Sequence, residues 1–409
     1  MMTLNSIPQM LKSRKKDIDD WFAERWKNLK PQIYASCDLR HAGFKIGVVD
    51  TNLFPAGFNN LCQAYSRQLI ASLHDYLNTY YPQALNIMVL AEEHTRNKFY
   101  LKNVRTLKQF IEQTGRRVRI GVFGDFLSQD ELSIDLDEES VTLYRIKLEG
   151  DKLTCRDFTP DLIISNNDFS SGVPSALLGI AQEIIPPTEL GWQKRRKSDH
   201  FRYLHEEIGA FCRCFDLDPW LLTAQTEVVS DIDLLEESCL QVLANRVDQL
   251  LKQIKVKYQE YQIEDSPYVY LKNNAGTYGL GLLPLFSGEE VLSLSRRKKN
   301  KLLSSKGNLQ VAEYLIQEGI PTADLYSGYP LEPVIYLIGG QDIGGFFRIH
   351  EAKNVLESLN APGMTFSCLC LHKLDEPHEK FFLDCRAKES VVNLSRLLAK
   401  LAAVAVARE

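Results

Sequence analysis

The sequence predicts a multidomain protein of mixed class, with an α/β domain first and an α+β region last. Two observations predict this: the chain has 409 residues, more than one core usually holds, and strand patterns occur in two separate blocks. The first block runs to about residue 190, and strand patterns return after Pro267, beyond a mostly helical stretch. We therefore expect domains at residues 1–190, 191–265 and 266–409.

The N-terminal block has the β-α-β-α-β order that is typical of a largely parallel sheet. A helical pattern over about residues 6–30 comes first, and FKIGVVD, LNIMVLA and RRVRIGVFG then have strand composition, with amphipathic stretches between them. VTLYRIKLEGDKLTCRDF predicts a hairpin that turns at Glu149-Gly150-Asp151, and DLIIS predicts a further strand. Because ligands bind at the carboxyl ends of parallel strands, we expect DTNLFPAGFNN and EEHTRN to lie near a ligand.

A glycine-rich segment, KNNAGTYGLGLL, follows the apolar run YVYL at residues 272–283. It fits neither common phosphate loop, because the dinucleotide fingerprint needs a glycine where the chain has Pro284, and the P-loop ending Gly-Lys-Ser/Thr is absent. Strand-favouring residues on both sides predict a strand, a loop and a second strand. Glycine lets backbone N–H groups approach phosphates closely, but a simple hairpin turn is an equally good interpretation at this point.

Strand ends in the C-terminal region carry residues suited to a nucleotide. Lys272 closes the strand before the glycine loop, where its ammonium could meet a phosphate. Gln317, Glu318 and Gly319 close YLIQEGI, and exposed backbone there suits an edge-on contact with adenine. Arg348 stands inside the apolar strand GGFFRIH, where a buried charge needs a partner, so we expect it to be a site residue.

The segment ESLNAPG offers two oxygen donors, Glu357 and Asn360. Mg²⁺ takes such donors alongside phosphate oxygens, so a metal site is one interpretation. A plain turn is the alternative, because Asn-Ala-Pro-Gly favours turns.

Charge and composition exclude some classes of function. The net charge of -5 argues against a protein whose main function is to bind nucleic acid or an anionic membrane. The basic run SRRKKNK is therefore most simply a solvated helix face, with a phosphate-facing lid or a nucleic-acid patch as alternatives. Nine cysteines without a C-x-x-C pair are typical of a reducing compartment, and the apolar run LAKLAAVAVA is shorter than the roughly 18 residues of a membrane span. We expect a cytoplasmic protein.

Nine stretches between about residues 40 and 370 together resemble the proteobacterial glutamate–cysteine ligase family. They are DTNLFPAGFNNLC, EEHTRN, PDLIISNNDFSSGVP, GWQKRRKSDHF, YLKNNAGTYGLG, LIQEGI, EPVIYLI, GGFFRIH and SLNAPGM. The resemblance implies an ATP-grasp-like architecture for the C-terminal region, in which the glycine-rich loop closes over ATP. It implies a phosphate contact for Lys272, a phosphoryl or carboxylate contact for Arg348, and Mg²⁺ at Glu357 and Asn360.

The implied nucleotide site has two further parts. The loop would cover the phosphates, and the end of LIQEGI would form the adenine hinge. The loop residues are Gly276, Thr277, Tyr278, Gly279 and Gly281, and the hinge residues are Gln317, Glu318, Gly319 and Ile320.

The implied reaction joins L-cysteine to the γ-carboxylate of L-glutamate through a γ-glutamyl phosphate, the first step of glutathione synthesis. We expect the N-terminal domain to hold the amino acids, because its polar clusters follow strands and can pair with ammonium and carboxylate groups. Capping of loops by Asn and Asp is an equally good interpretation of each. The candidates are Asp50, Asn52, Asn59, Thr95, Arg96, Asn97, Asn166, Asn167 and Asp168, with Arg195, Arg196 and Lys197 as a lower-ranked anion site.

Three departures from the family pattern accompany the resemblance. The family has Lys-Ala-Asp where this chain has Lys272-Asn273-Asn274, Glu-Asn-Leu-Asn where it has Glu357-Ser358-Leu359-Asn360, and an acid in the turn where it has Gly339-Gly340. Each removes an oxygen ligand or changes its charge. A ligase with another acceptor amine and a noncatalytic nucleotide-binding relative therefore stay open as alternatives, as does a homo-oligomer.

Overall fold

The computed structural model describes residues 3–93, 97–124, 129–137, 139–275, 281–303, 312–369 and 389–409. The α-helices of these ranges are α1 (Ile7–Ser13), α2 (Lys15–Trp26), α3 (Ser66–Tyr80), α4 (Lys98–Glu112), α5 (Lys197–Phe215), α6 (Glu237–Glu260), α7 (Glu289–Leu292), α8 (Arg296–Leu303) and α9 (Glu389–Val406). The strands are β1 (Tyr34–His41), β2 (Ile46–Asn52), β3 (Asn86–Leu90), β4 (Arg117–Val122), β5 (Glu131–Leu136), β6 (Glu139–Arg145), β7 (Lys147–Glu149), β8 (Lys152–Thr154), β9 (Leu162–Ser165), β10 (Glu183–Ile185), β11 (Thr226–Val229), β12 (Val269–Asn273), β13 (Leu283–Leu285), β14 (Tyr314–Glu318), β15 (Leu325–Tyr326), β16 (Tyr329–Ile338), β17 (Gln341–Ile349) and β18 (Thr365–Leu369).

A largely parallel sheet of six strands has the order β10-β9-β3-β4-β6-β5. The strands from β10 to β6 pair in parallel, and β5 adds an antiparallel edge. Its β3, β4 and β9 are the strands predicted from LNIMVLA, RRVRIGVFG and DLIIS, and α4 packs against β4. The predicted hairpin is also confirmed, since β7 pairs with β8 around Gly150, whose φ is +64°.

The strand predicted from FKIGVVD does not belong to this sheet. It forms β2, which pairs antiparallel with β1 at the edge of a second sheet, ordered β18-β17-β16-β1-β2. The parallel assignment of this strand was wrong because a run of apolar residues suits a buried strand in either kind of sheet. This second sheet joins strands from residues 34–52 to strands from residues 329–369, and the division of the chain into three domains stays a prediction.

A third sheet of four antiparallel strands has the order β11-β14-β12-β13. Here β12 pairs with β13 from Val269↔Leu285 to Leu271↔Leu283, which confirms the two strands predicted on either side of the glycine-rich loop. Gly276, Thr277, Tyr278 and Gly279 lie outside the described residues, and Gly281 has a φ of +68°. The two antiparallel sheets and the parallel sheet together make a mixed α/β and α+β protein.

The apolar run LAKLAAVAVA lies in α9, which packs against β1, β2, β16 and β17. Leu398, Leu401 and Val404 are fully buried there, so the run forms core. Among the described helices, none is long and apolar enough to span a membrane.

Candidate active site

A cleft that is partly open to solvent lies between the antiparallel sheet of β1, β2 and β16 and the sheet of β12 and β14. Charged side chains from both sheets meet in it. The lining residues are Asp38, Arg40, Val49, Asp50, Lys197, Tyr270, Lys272, Asn273, Leu282, Gln317, Glu318, Ile320, Glu332, Ser358 and Asn360.

Two lysines face this cleft from different elements. The Nζ of Lys272, at the end of β12, donates to the Val49 carbonyl at 3.0 Å and to Oε1 of Gln317. The Nζ of Lys197, in the first turn of α5, pairs with Oδ1 of Asp50. Burial lowers the pKa of Lys272 to about 7, against the opposing effect of Asp50. Burial would raise the pKa of Asp50, but the charges of Lys197 and Lys272 hold it below its usual value.

Arg348 neutralises two carboxylates of the cleft. Its Nη1 lies 2.9 Å from Oδ2 of Asp38 and 2.6 Å from Oε1 of Glu332. Burial would lower the pKa of Arg348, but these two carboxylates raise it above its usual value, so the guanidinium stays charged. Burial in turn raises the pKa of Asp38. Arg348 is absent from the cleft lining, whereas both of its partners line it.

Arg40, Asn273 and Gln317 present buried donors that have no hydrogen-bond partner among the described residues. The atoms are Nη1 of Arg40, Nδ2 of Asn273 and Nε2 of Gln317. The Nη2 of Arg40 is held by the carbonyls of Val355 and Glu357 at 3.2 and 2.8 Å. An unsatisfied buried donor costs about 1–3 kcal/mol, so these groups favour a ligand rich in acceptor oxygens.

Glu318, one of the predicted hinge residues, has its carboxylate bound by three neighbouring donors. Its carboxylate accepts from Nζ of Lys45 at 2.7 Å, from Nε1 of Trp220 at 3.2 Å and from the backbone N–H of Gln225 at 3.0 Å. Burial lowers the pKa of Lys45 to about 8. This pair ties the turn between β1 and β2 to β14 across the back of the cleft.

Gly319, also predicted for the hinge, allows close packing against Tyr268. Its N–H donates to the Tyr268 carbonyl at 2.8 Å, and a Cβ there would lie 2.3 Å from the Tyr268 ring. Gln317 and Ile320, on either side of Glu318 and Gly319, line the cleft.

The two residues predicted to hold Mg²⁺ differ in their surroundings. Asn360 lines the cleft, but Glu357 turns to Lys353 at 2.8 Å and to the N–H of Asn354 at 3.1 Å. The ammonium of Lys353 holds the pKa of Glu357 below its usual value. Over the described ranges, no cluster of three or more His, Cys, Asp or Glu side chains suits a metal ion.

Asn274 connects the glycine loop to α5 in a way that an aspartate would not. Its Oδ1 accepts from the N–H of Ser198 at 2.9 Å, and its Nδ2 donates to Oγ of Ser198 at 2.9 Å and to Oε2 of Glu313 at 3.3 Å. An aspartate would place a second carboxylate against Glu313. The amide at this departure from the family pattern is therefore matched to its local partners.

The departure at Gly339 and Gly340 directly follows the last residue of β16, whereas Glu332 stands near the start of that strand. Both glycines have positive φ, +55° and +77°, and a Cβ on Gly340 would lie 2.6 Å from the Trp26 ring. This turn is outside the cleft lining, so its missing acid does not change the charges that face the cleft.

Among the predicted N-terminal candidates, Asp50 lines the cleft, and Thr95 and Arg96 lie outside the described residues. Of the other six, Asn166 makes long-range bonds and five make local bonds of the kind expected in loops. Asn52, Asn167 and Asp168 accept from the N–H two residues on, Asn97 caps α4, Asn59 donates to Asn60, and Asn166 bonds Asn103 and the Pro55 carbonyl.

Three charged residues of the cleft, Asp38, Arg40 and Glu332, were not among the predicted site residues. A signal was present, because Asp38 and Arg40 are two apart in a strand and so share one face. Glu332 likewise begins the apolar stretch EPVIYLI. Lys197 was part of the lower-ranked anion cluster.

Comparison with known protein families matches residues 8–409 to the family described as "Glutamate-cysteine ligase". The chain belongs to the glutamate–cysteine ligase family. A crystal structure described as "Putative gamma-glutamylcysteine synthetase" from Methylobacillus flagellatus KT shares 32% sequence identity, covering 98% of this chain and 95% of that chain at a TM-score of 0.90.

Two other comparisons add nothing to this assignment. D-alanyl-alanine synthetase A from Vibrio cholerae shares 8% identity over 66% of this chain and 68% of that chain, and its TM-score of 0.33 carries no weight. A search of the curated proteins finds no match.

The ligase therefore joins cysteine to glutamate in glutathione synthesis, as the resemblance implied. ATP is the expected energy source of such a ligase, and the buried donors of Arg40, Asn273 and Gln317 fit its acceptor-rich phosphates and base. Small-molecule substrates are consistent with the ligase family.

Proposed function

We propose that the ligase binds ATP in an ATP-grasp-like manner in the cleft between its two antiparallel sheets and there phosphorylates the γ-carboxylate of L-glutamate. The observation that carries the proposal is the convergence of Lys272, Lys197 and Arg40 on one cleft that also holds unsatisfied buried donors. Cations and N–H donors stabilise the charge of a transferring phosphoryl group.

The chemistry needs an activated carboxylate, because an amine cannot expel oxide from a free one. An oxygen of the γ-carboxylate would attack the γ-phosphorus of ATP and release ADP. The cysteine amine would then attack the carbonyl carbon of γ-glutamyl phosphate, form the amide, lose a proton and release inorganic phosphate. The phosphate would retain one oxygen of the original carboxylate.

The phosphate contacts fall to Lys272 and Arg40. Lys272 lies at the end of β12, next to the start of the glycine loop, and Arg40 lies on β1 in the other sheet. Both side chains line the cleft, so they would contact a phosphate chain from its two walls. The glycine loop would cover the phosphates and exclude water from the acyl phosphate. Gln317 and Ile320 would contact the adenine.

Arg348 would act through its neighbours. Its guanidinium is already shared by Asp38 and Glu332, so we assign it the positioning of these carboxylates in place of a direct contact with the phosphoryl group. The direct contact predicted for Arg348 passes to Arg40, whose Nη1 has no partner among the described residues.

Asn360 would hold Mg²⁺ from the cleft wall, and Glu332, which also lines the cleft, would join it only by sharing the carboxylate that Arg348 and Arg40 already contact. When bound, Mg²⁺ would neutralise phosphate charge, and it commonly takes one or two carboxylates with the remaining ligands from phosphates and water. Glu357 would have to leave Lys353 before it could take part.

Asp50 is the proposed partner of a substrate ammonium group. It lies beside Lys272 and Lys197 and stays ionised, because these charges lower its pKa. The capping side chains of the N-terminal domain are secondary candidates for the amino acids.

An oxygen-isotope labelling experiment tests this function. Purified ligase is given ATP, Mg²⁺, L-cysteine and L-glutamate labelled with ¹⁸O in the γ-carboxylate. We expect one labelled oxygen in inorganic phosphate for each γ-glutamylcysteine formed, and ADP release that depends on both amino acids. Product formation without label in the phosphate would overturn the acyl phosphate, and equal turnover with other acceptor amines would favour a different amide ligase.

A further inference from the structure

A buried ion cluster lies behind the cleft and includes the side chain of Glu409. Its Oε2 lies 2.6 Å from Nε of Arg195, and its Oε1 lies 3.0 Å from Nη2 of Arg195 and 2.6 Å from Nδ1 of His200. All three side chains are at most 5% exposed. Burial would raise the pKa of Glu409, but Arg195 and His200 lower it to about 2, so the carboxylate stays ionised.

The cluster is connected to the cleft through the end of β2. Nη1 of Arg195, the one nitrogen that Glu409 leaves free, donates to the Thr51 carbonyl at 2.8 Å. One residue earlier, Asp50 receives Lys197, which stands two residues after Arg195. Two adjacent residues of β2 are thus tied to Lys197, the first residue of α5, and to Arg195, which lies two residues before the helix.

The start of α5 also binds Asn274, which lies at the base of the glycine loop. The N–H of Lys197 donates to the Asn274 carbonyl at 2.9 Å, and the N–H of Ser198 donates to its Oδ1 at 2.9 Å. A displacement of this helical turn would therefore move Lys197 and the loop base together.

Trp192 lies beneath both cations. Its ring is 5.1 Å from the Arg195 guanidinium carbon and 4.7 Å from Nζ of Lys197, and the side chain is buried. Arg195 and Lys197 therefore share one indole surface, which further couples their positions.

We propose that Glu409 is a positioning residue of the ligase, which holds Arg195 against Thr51 and thereby sets Lys197 and the base of the glycine loop in the cleft. The proposal rests on the function assigned above to Lys197 and the glycine loop. Glu409 is not among the residues that line the cleft. Its removal leaves a buried guanidinium without its bidentate partner, and Arg195 is then free to leave the Thr51 carbonyl or to compete with Lys197 for Asp50.

Arg408 provides a matched control. It also joins the end of the chain to α5, with Nη1 2.6 Å from Glu207 and Nη2 2.6 Å from Glu206, but neither partner lines the cleft. Arg408→Gln therefore removes ion pairs of comparable length without loosening Arg195.

The test compares Glu409→Gln and Arg408→Gln for kcat, KM for ATP and thermal unfolding. We expect kcat to fall about tenfold or more in Glu409→Gln, because a misplacement near 1 Å can cost a hundredfold, and to stay within about twofold in Arg408→Gln. Equal kcat in the two variants would overturn the proposal, even where both lose thermal stability. If Glu409→Gln does not fold, Glu409→Asp, which keeps the charge on a shorter side chain, is judged by the same comparison.

Two further readouts separate positioning from a purely structural role. In protein labelled with 5-fluorotryptophan, the ¹⁹F resonance of Trp192, assigned with Trp192→Phe, should shift in Glu409→Gln and stay in place in Arg408→Gln. In an Arg195→Met background, Glu409→Gln should add no further loss of kcat. An unmoved Trp192 resonance or an additive loss would contradict the proposal. The ¹⁸O experiment on the unmodified ligase tests the acyl phosphate separately, so a failure there is distinguishable.

Discussion

Glu332 and Arg348 face each other across β16 and β17, with Oε1 of Glu332 2.6 Å from Nη1 of Arg348. The same nitrogen lies 2.9 Å from Asp38 on β1, so one buried guanidinium holds two carboxylates from two strands. Both carboxylates line the cleft, and Arg348 stands behind them. The positions of both carboxylates in the cleft wall therefore depend on this residue.

Arg348→Ala should lower turnover about a hundredfold, because Asp38 and Glu332 lose the group that positions them. The free energy of unfolding should also fall by about 3–5 kcal/mol, since the buried Asp38 loses its cation and Glu332 keeps only Arg40, whose Nε lies 3.4 Å from its Oε2. Steady-state kinetics at a temperature where circular dichroism shows folded protein measures the first effect, and denaturant unfolding measures the second. Near-normal turnover in folded Arg348→Ala would remove the residue from the site.

The charge of Lys272 should give the ligase a pH dependence near neutrality. Since burial lowers its pKa to about 7, Lys272 is protonated below that pH and loses its charge as the pH rises through it, while Asp50 stays ionised. We expect kcat/KM for ATP to fall as the pH rises through about 7, because kcat/KM reports the free enzyme. Lys272→Arg, which stays charged, should lack this descending limb, and the same midpoint in that variant would assign the titration elsewhere.

The sequence predicted the resemblance, the parallel sheet and the hairpin of β12 and β13 correctly, but it missed much of the cleft wall. Asp38 and Arg40 lie in an ordinary strand pattern, and their importance depends on Glu332 and Arg348, which stand about 300 residues later in the chain. A single sequence contains no signal for such a pairing. The polar residues after the parallel strands are equally good as caps and as ligands, and at most of these positions the structure shows caps.

Asn274→Asp should destabilise the ligase, although the family resemblance implies an acid there. The new carboxylate would lose the donor to Ser198 Oγ and repel Glu313, whose Oε2 lies 3.3 Å from Nδ2 of Asn274. We expect a lower unfolding temperature and a larger KM for ATP, because the base of the glycine loop loses its tie to α5. Adding Glu313→Gln should restore part of the unfolding temperature and part of the KM for ATP. If neither quantity recovers, this explanation of the amide at Asn274 is wrong.

Lys45→Met should reduce the free energy of unfolding by about 3–5 kcal/mol, because it leaves the fully buried Glu318 carboxylate without its cation. Adding Glu318→Gln should recover part of the loss. Lys98→Met, which breaks an ion pair with Asp137 at 3.0 Å in which both side chains are 58% exposed, serves as the control and should change little. Urea unfolding measures the free energy of unfolding of both variants. Equal losses in Lys45→Met and Lys98→Met would show that the buried pair of Lys45 and Glu318 does not stabilise the fold.

The most direct test of the cleft as the ATP site is a crystal structure of the ligase with a nonhydrolysable ATP analogue, Mg²⁺ and L-glutamate. The proposed function predicts phosphate oxygens within hydrogen-bond distance of Nζ of Lys272 and Nη1 of Arg40, with the adenine against Gln317 and Ile320. A nucleotide bound instead at the carboxyl edge of the parallel sheet, beside Asn166 and Asp168, would contradict it.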